Sequence, residues 1–144
     1  MKQILVGILI AFVFLSSTCK KDIEIPDPEL KKIFGKWEWI QSCGGFAGGC
    51  ISPATQGYTI SIEFSSNGIY KKYKNNNLVD REAFSFSQGT CIHNHQQVWF
   101  VSFTQMPPHH QSAFPMSVSF SGNDTLMLDD ERYDGFGHIY ARIK

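Results

Sequence analysis

Residues 58–64 have the alternating pattern of a half-buried β-strand, and most of the chain repeats that pattern. Apolar side chains alternate with polar ones, so one face of the segment is apolar and the other is polar. The apolar face consists of Tyr58, Ile60, Ile62 and Phe64. Residues two apart share a face in a strand and not in a helix. A chain built of such segments has to bury its apolar faces within a folded sheet or between two sheets.

Seven further segments are predicted to form strands. They cover residues 35–42, 69–74, 78–87, 96–103, 115–121, 125–129 and 137–144. Turns rich in Gly, Asn and Asp join most neighbours, which is typical of antiparallel hairpins. No intervening segment is long enough for a helix that crosses between parallel strands. We predict an all-β fold in which eight antiparallel strands close into an up-and-down barrel, with a two-sheet β-sandwich as the alternative.

The N-terminal segment differs from the rest of the chain. A positive charge, an unbroken run of apolar or small residues and a few small residues precede Cys19, which is the layout of an export signal. The apolar run is too short for a permanent transmembrane helix. We predict a signal peptide over residues 1–18, a flexible tether over residues 19–28 and one domain over residues 29–144. Asp27 and Pro28 favour a capped helical turn that plugs one end of the strands.

The remaining cysteines predict one disulfide. Cys43 and Cys50 bracket a glycine-rich loop whose ends can meet, and an exported protein is oxidised. Closing so short a loop stabilises the fold by roughly 2.5 kcal/mol at most. Cys91 then has no predicted partner. It is either a buried thiol or an alternative disulfide partner of Cys43 or Cys50.

Two motifs resemble known families. Cys19 and the small residues before it resemble the lipobox of bacterial lipoproteins, with an ordinary cleaved signal as the alternative. Residues 35–37, Gly-Lys-Trp, resemble the Gly-x-Trp signature that opens the first strand of lipocalins and related calycin barrels. With Ile-Glu-Phe at 62–64, Asn-Gly at 67–68 and the ending Arg-Ile-Lys, the chain resembles the small lipocalin-like lipoproteins of Bacteroidota.

The resemblance implies a location and a structural contact. It implies acyl chains on Cys19 and therefore a lipoprotein of the outer membrane, on its periplasmic or surface face. It also implies that Arg142, from the last strand, packs over Trp37 next to Gly35. A cation over an indole contributes about 1 kcal/mol. The resemblance does not indicate which kind of ligand is bound, because the paired cysteines and the histidine-rich segments are not features of that family.

The inward apolar residues define the candidate ligand site, since they either fill the barrel or line a cavity. The predicted residues are Trp39, Tyr58, Ile60, Ile62, Phe64, Phe84, Phe86, Trp99, Phe103 and Phe120. No catalytic motif is present, so we predict a non-catalytic protein that binds a small hydrophobic ligand. The alternative is a protein-binding module that presents the loops at residues 43–57 and 105–114. The formal net charge of zero argues against nucleic acid as a partner.

Four polar features have weaker functional interpretations. Cys91, His93 and His95 would share a face if extended, and with His109 and His110 they suggest a metal site. Solvated loop histidines are the alternative, and we predict no metal and no cofactor. The acidic residues at 129–134 are expected to be a solvated turn rather than a calcium loop. Residues 124–126, Asp-Thr-Leu, resemble a short O-glycosylation site of Bacteroidota. The outer face is expected to carry Glu38, Glu63, Glu82 and His138.

Overall fold

The computed structural model describes residues 22–104 and 114–144, and nine strands account for most of them. The strands are β1 (Gly35–Gly44), β2 (Gly49–Ile51), β3 (Ile60–Phe64), β4 (Ile69–Lys74), β5 (Asn77–Thr90), β6 (Gln97–Thr104), β7 (Met116–Ser121), β8 (Thr125–Asp130) and β9 (Phe136–Arg142). A 3₁₀ helix, Pro28–Ile33, precedes β1, and a one-turn helix α1, Pro53–Gln56, follows β2. Cys19, His109 and His110 lie outside the described residues.

Eight of the strands close into a barrel. Strands β1 and β3 to β9 pair antiparallel in chain order, and β9 returns to pair with β1 from Trp37↔Arg142 to Gly44↔Phe136. This ring leaves no free edge between the first and last strands, which separates a barrel from a sandwich. The predicted eight-stranded, up-and-down, lipocalin-like barrel is therefore confirmed. β2 is an additional strand that pairs with the end of β1.

Up-and-down order places the connections at two ends of the barrel. One end, called here the closed end, carries the 3₁₀ helix and the turns after β3, β5 and β7. Leu30 and Ile33 of the helix are buried in the core, and the Asp27 side chain caps it by accepting a hydrogen bond from the Glu29 amide at 2.8 Å. The other end, called the open end, carries the β1–β2 hairpin and the turns after β4 and β8. The predicted helical plug is thus present.

The described part of the predicted tether is docked on the barrel. The Ile23 amide donates to the Ser66 carbonyl at 2.8 Å, and the Ser66 hydroxyl donates to the Asp22 carboxylate at 2.8 Å. Ile23 and Ile25 pack against the core. Over residues 22–28 the prediction of a free, flexible segment is therefore wrong, because two isoleucines bury apolar surface there. Among the described residues, no helix has the length and apolar character needed to cross a membrane.

The predicted disulfide is present. Cys43 and Cys50 are directly opposite each other on β1 and β2, with their Cα atoms 4.1 Å apart, and they are bonded. Cys91 is a free, buried thiol. The segment predicted as one loop, residues 43–57, therefore contains the short strand β2 and the helix α1.

Candidate ligand site in the barrel interior

The structure brings the ten predicted ligand residues together inside the barrel. Four of them, Trp39, Ile62, Phe64 and Phe84, are buried in the hydrophobic core. The other six pack against that core but keep part of their surface accessible: Tyr58, Ile60, Phe86, Trp99, Phe103 and Phe120. The sequence therefore predicted the inner face of five strands correctly at these positions.

Aromatic rings form much of the interior wall. The Phe64 ring meets Phe84 edge to face with centroids 5.1 Å apart, and it lies 5.1 Å from the ring of Tyr70. Tyr70 in turn lies 4.6 Å from Phe103. Such tilted and edge-to-face pairs contribute about 0.5–1.5 kcal/mol each beyond the area they bury. Tyr70 belongs to this wall although the sequence prediction omitted it.

Trp37 and Arg142 seal the closed end. The Trp37 side chain has no accessible surface, and its indole N–H donates to the Ile33 carbonyl at 2.7 Å. The Arg142 guanidinium lies over that indole, 4.0 Å from its centroid, and donates to the Phe34 carbonyl at 3.0 Å. At Gly35, where φ is +121°, a Cβ atom would stand 3.1 Å from the guanidinium. The contact implied by the Gly-x-Trp resemblance is present, and it accounts for the glycine.

A second set of inward residues, called here the polar layer, consists of polar side chains that share the inner face with the apolar wall. Cross-strand partners point to the same side of a sheet. Lys72 is opposite the buried Ile62, and Tyr140 and His138 are opposite the buried Leu126 and Leu128. The polar layer consists of Ser42, Tyr70, Lys72, Glu82, Asp130, His138 and Tyr140.

Two of these residues were predicted on the outer face, and both predictions are wrong. Glu82 is only 8% exposed and lies on the inner face of β5 with Phe84 and Phe86. His138 shares the inner face of β9 with the buried Tyr140. Charge and polarity led to the outward assignment in each case. The two-residue spacing of Glu82, Phe84 and Phe86 was the signal that would have corrected the first one.

The other two carboxylates lie outside, as predicted. Glu38 is exposed. Glu63 accepts hydrogen bonds from the Tyr73 hydroxyl at 3.1 Å and from Lys71 at 3.3 Å on the outer face. Burial raises the pKa of Glu63, but the bonds to Tyr73 and Lys71 outweigh it, so the pKa is lowered overall. Glu63 is thus a surface ion-pair residue.

A hydrogen-bond chain links Ser42 to β8 and β9. The Trp39 indole donates to the Ser42 hydroxyl oxygen at 2.8 Å, and that oxygen is 2.6 Å from Nδ1 of His138. Nε2 of His138 is 3.8 Å from the Asp130 carboxylate. Burial lowers the pKa of His138 below its ordinary value of 6.5, although Asp130 opposes the shift. Ser42 is 3% exposed and held between two partners, so this chain satisfies buried polar groups and presents no accessible nucleophile.

The remaining groups of the polar layer have no such partners among residues 22–104 and 114–144. Burial raises the pKa values of the Tyr70 and Tyr140 phenols, and it raises the pKa of Glu82 with help from Asp80. No hydrogen bond contributes to any of these shifts, and none joins the three side chains to another described residue. Lys72 takes part in none of the ion pairs between described residues. Within the described part of the chain, these groups therefore leave hydrogen-bonding capacity for a ligand or for water.

Two cavities are bordered by described residues. One, of about 390 Å³, lies on the outer face, where Cys91 and His93 face Ser117, Ser119 and Asp129. The other, of about 320 Å³, lies at the closed end, where Phe84 and Phe86 meet the docked segment at Ile23 and Pro26. Only these two of the ten predicted ligand residues line either cavity.

The predicted alternative of a metal site finds no support in the described part of the chain. Within residues 22–104 and 114–144, no group of three or more His, Cys, Asp or Glu side chains is placed to hold a metal ion. Cys91 is buried, whereas His93 and His95 are exposed. In the acidic turn, Asp130 pairs with Arg132 at 3.0 Å and accepts from the Phe136 amide at 3.1 Å.

The geometry defines a class: an eight-stranded, lipocalin-like barrel that is sealed at one end and whose interior combines an aromatic wall with inward polar groups. Comparison with known proteins takes the assignment no further. No protein-family model, no curated protein and no solved structure matches the chain. The functional argument therefore depends on the interior itself.

Proposed function

We propose that the protein binds a small, largely hydrophobic molecule inside the barrel. The observation that carries this proposal is the accessible surface left on inward apolar residues such as Phe103 and Phe86. An eight-stranded barrel has an interior about wide enough for one small ligand. Apolar walls with a few polar groups are typical of small-molecule sites.

The test is a titration with N-phenyl-1-naphthylamine, an uncharged apolar probe that becomes fluorescent in a dry site. We expect saturable 1:1 binding that Phe103→Ala weakens about tenfold, since truncating an inward phenyl removes contact area worth 1–2 kcal/mol. The matched control is Ile40→Ala, because Ile40 lies on the outer face of β1 and is exposed. Circular dichroism checks that both variants fold. Absence of saturable binding, or an equal loss in the control, contradicts the proposal.

We also propose that the protein is anchored to the cell envelope through acyl chains on Cys19, as a lipocalin-like lipoprotein of the outer membrane. Two or more chains are needed for stable anchoring. Asp22 is docked at the closed end and lies three residues after Cys19, a span of about 10 Å when extended. An anchor at Cys19 would hold the closed end next to the membrane and leave the open end facing away.

Metabolic labelling with a fatty acid tests the anchor. We expect the label on the wild-type protein, and we expect Cys19→Ala to lose the label and either leave the membrane fraction or stall in processing. The control is Cys91→Ala, which removes the free thiol of the described residues and should stay labelled. Labelling of the Cys19→Ala variant would exclude the anchor.

A second candidate function is binding of a partner protein at the open end. Phe46 is 96% exposed at the tip of the disulfide-closed β1–β2 hairpin, and Tyr133 in the turn after β8 is 86% exposed. No charged residue occurs from residue 39 to residue 62. An uncharged apolar cleft on a partner would fit this hairpin.

A photo-crosslinker at position 46, with position 143 at the closed end as control, should give one discrete adduct in cells. If position 46 gives no adduct, or if both positions give the same adduct, partner binding at the open end is excluded.

A further inference from the structure

The polar layer holds both hydrogen-bond donors and acceptors that lack described partners. The phenols of Tyr70 and Tyr140 stay protonated at neutral pH, since burial raises the pKa of each. A phenol donates one hydrogen bond and accepts others, a lysine only donates and a carboxylate only accepts. Lys72 and Glu82 therefore complete a set that offers both kinds of bond to one guest.

Tyr70, Lys72 and Glu82 share the inner face of two neighbouring strands, β4 and β5. Tyr70 on β4 is directly opposite Glu82 on β5, and the charge of Glu82 adds to the rise in the pKa of Tyr70. Tyr140 on β9 is close enough to Tyr70 to add to the same rise. Lys72 opposes the rise in the pKa of Glu82. A ligand head group placed between β4 and β9 would therefore contact several of these four polar side chains at once.

The charges of the layer largely cancel. Lys72 is set against the carboxylates of Glu82 and Asp80, and Asp130 is paired with Arg132. Lys74, opposite the inward Ile60, supplies the third positive charge against these three carboxylates. His138 is neutral at pH 7, since burial lowers its pKa below 6.5. A ligand with a full charge would give up its hydration without finding a net opposite charge. An uncharged polar group would exchange its water for donors and acceptors already in place.

We propose that the ligand is an uncharged amphipathic molecule, with an apolar chain or ring system against the aromatic wall and a hydroxyl-rich head in the polar layer. The inference rests on the proposed function and adds the chemical class of the head group. A monoacylglycerol-like diol has this chemistry: two adjacent hydroxyls, each able to donate and to accept, on an apolar chain.

The test compares three probes with similar ten-carbon chains: 1-monodecanoylglycerol, decanoate and decylammonium. Each is used below its micellar concentration to displace N-phenyl-1-naphthylamine from the full-length protein at pH 7. We expect monodecanoylglycerol to bind about tenfold more tightly than either ion. Equal affinity for all three, or tightest binding of an ion, overturns the inference while the proposed function stands. Failure of the fluorescent probe itself to bind overturns both.

Matched variants locate the head group. Tyr70→Phe and Tyr140→Phe remove one hydroxyl each and keep the ring, so the aromatic wall is preserved. We expect each to weaken monodecanoylglycerol about two- to tenfold, the range for one hydrogen bond, and to weaken it more than it weakens the naphthylamine, which has no hydroxyl-rich head. Tyr133→Phe is the control, because Tyr133 is exposed outside the barrel. An unchanged preference for monodecanoylglycerol in the Tyr70→Phe, Tyr140→Phe double variant overturns the placement in the polar layer.

Discussion

His138 couples the interior of the barrel to pH. The ring is packed among Ser42, Tyr140 and Asp130, and Asp129 acts on it from the neighbouring strand β8 and Lys72 from β4. Burial lowers the pKa of the folded state below 6.5, so the unfolded chain binds more protons between the two pKa values. The free energy of unfolding should therefore fall as the pH drops below about 6.5, and the loss should be complete once the pH is below the folded pKa.

Urea melts between pH 4.5 and pH 8 measure this effect. His138→Asn keeps an acceptor near the Ser42 hydroxyl and removes the titration, so the wild type should lose stability relative to this variant as the pH falls. Carboxylates titrate in both proteins, and the difference between the two curves removes their contribution. His95→Asn is the control, because His95 is exposed. If the difference between wild type and His138→Asn does not change with pH, the burial of His138 has no such effect.

At the residue scale, alternation predicted the apolar inner face well and the polar inner face badly. Phe64, Phe84 and Phe103 were placed correctly because large apolar side chains have one favourable side of a sheet. Glu82 and His138 were misplaced because the prediction put every polar residue outside. Near the open end of a barrel an inward polar residue can stay partly hydrated or find a partner, and hydropathy alone does not report that.

At the scale of secondary-structure elements, the contact between β1 and the turn after β8 requires a glycine at position 44. Gly44 has φ of +144°, and a Cβ atom there would stand 2.2 Å from the Gly135 carbonyl oxygen and 2.9 Å from Cα of Phe136. Both neighbours are backbone atoms, so they cannot rotate away. Gly44→Ala should therefore lower the free energy of unfolding by roughly 3 kcal/mol, through strain and the separation of paired backbone.

Gly48→Ala provides the comparison for denaturant melts. Gly48 also has a positive φ, +64°, but its Cβ position has no atom within 4 Å. Its substitution should lower stability by about 1 kcal/mol, the effect of the left-handed conformation alone. Equal losses for the two variants would mean that the close approach at Gly44 is relieved by movement of the turn.

Two short elements, β2 and α1, were not predicted from the sequence. β2 has three residues and α1 has four, so neither carries enough residues for a period of 2 or 3.6 to be recognised. Both became visible only through their partners: β2 through its pairing with β1, and α1 through the Thr55 hydroxyl, which accepts a hydrogen bond from the Ser52 amide at 2.8 Å. The disulfide could be predicted because it needs only two cysteines whose chain separation allows contact.

For the whole molecule, barrel closure was the feature that local pattern could not supply. A barrel and a sandwich have the same alternation and the same hairpins, and they differ in whether β9 meets β1. That pairing joins residues about a hundred positions apart. The one sequence signal for it was the resemblance of Gly35 and Trp37 to the opening of a calycin barrel, which placed Arg142 over the indole.

Closure should therefore depend on the pair formed by Trp37 and Arg142. Trp37→Ala removes a side chain with no accessible surface and should destabilise the fold by about 3–5 kcal/mol. Arg142→Ala removes the cation over the indole and the bonds to the carbonyls of Lys32, at 2.5 Å, and Asn123, at 2.8 Å. That loss should be about 1–3 kcal/mol, because the carbonyls on the closed end lose a donor that water replaces only in part.

The two losses should not add, since each single variant already breaks the contact between the guanidinium and the indole. Denaturant melts of the wild type, both single variants and the double variant give the coupling energy directly, and we expect about 0.5–2 kcal/mol. Arg132→Ala in combination with Trp37→Ala is the matched control, because Arg132 lies at the open end and is half exposed. Additive losses in both combinations would show that the strands close without this pair, and that the 3₁₀ helix alone, held by the Trp37 indole bond to Ile33, seals the barrel.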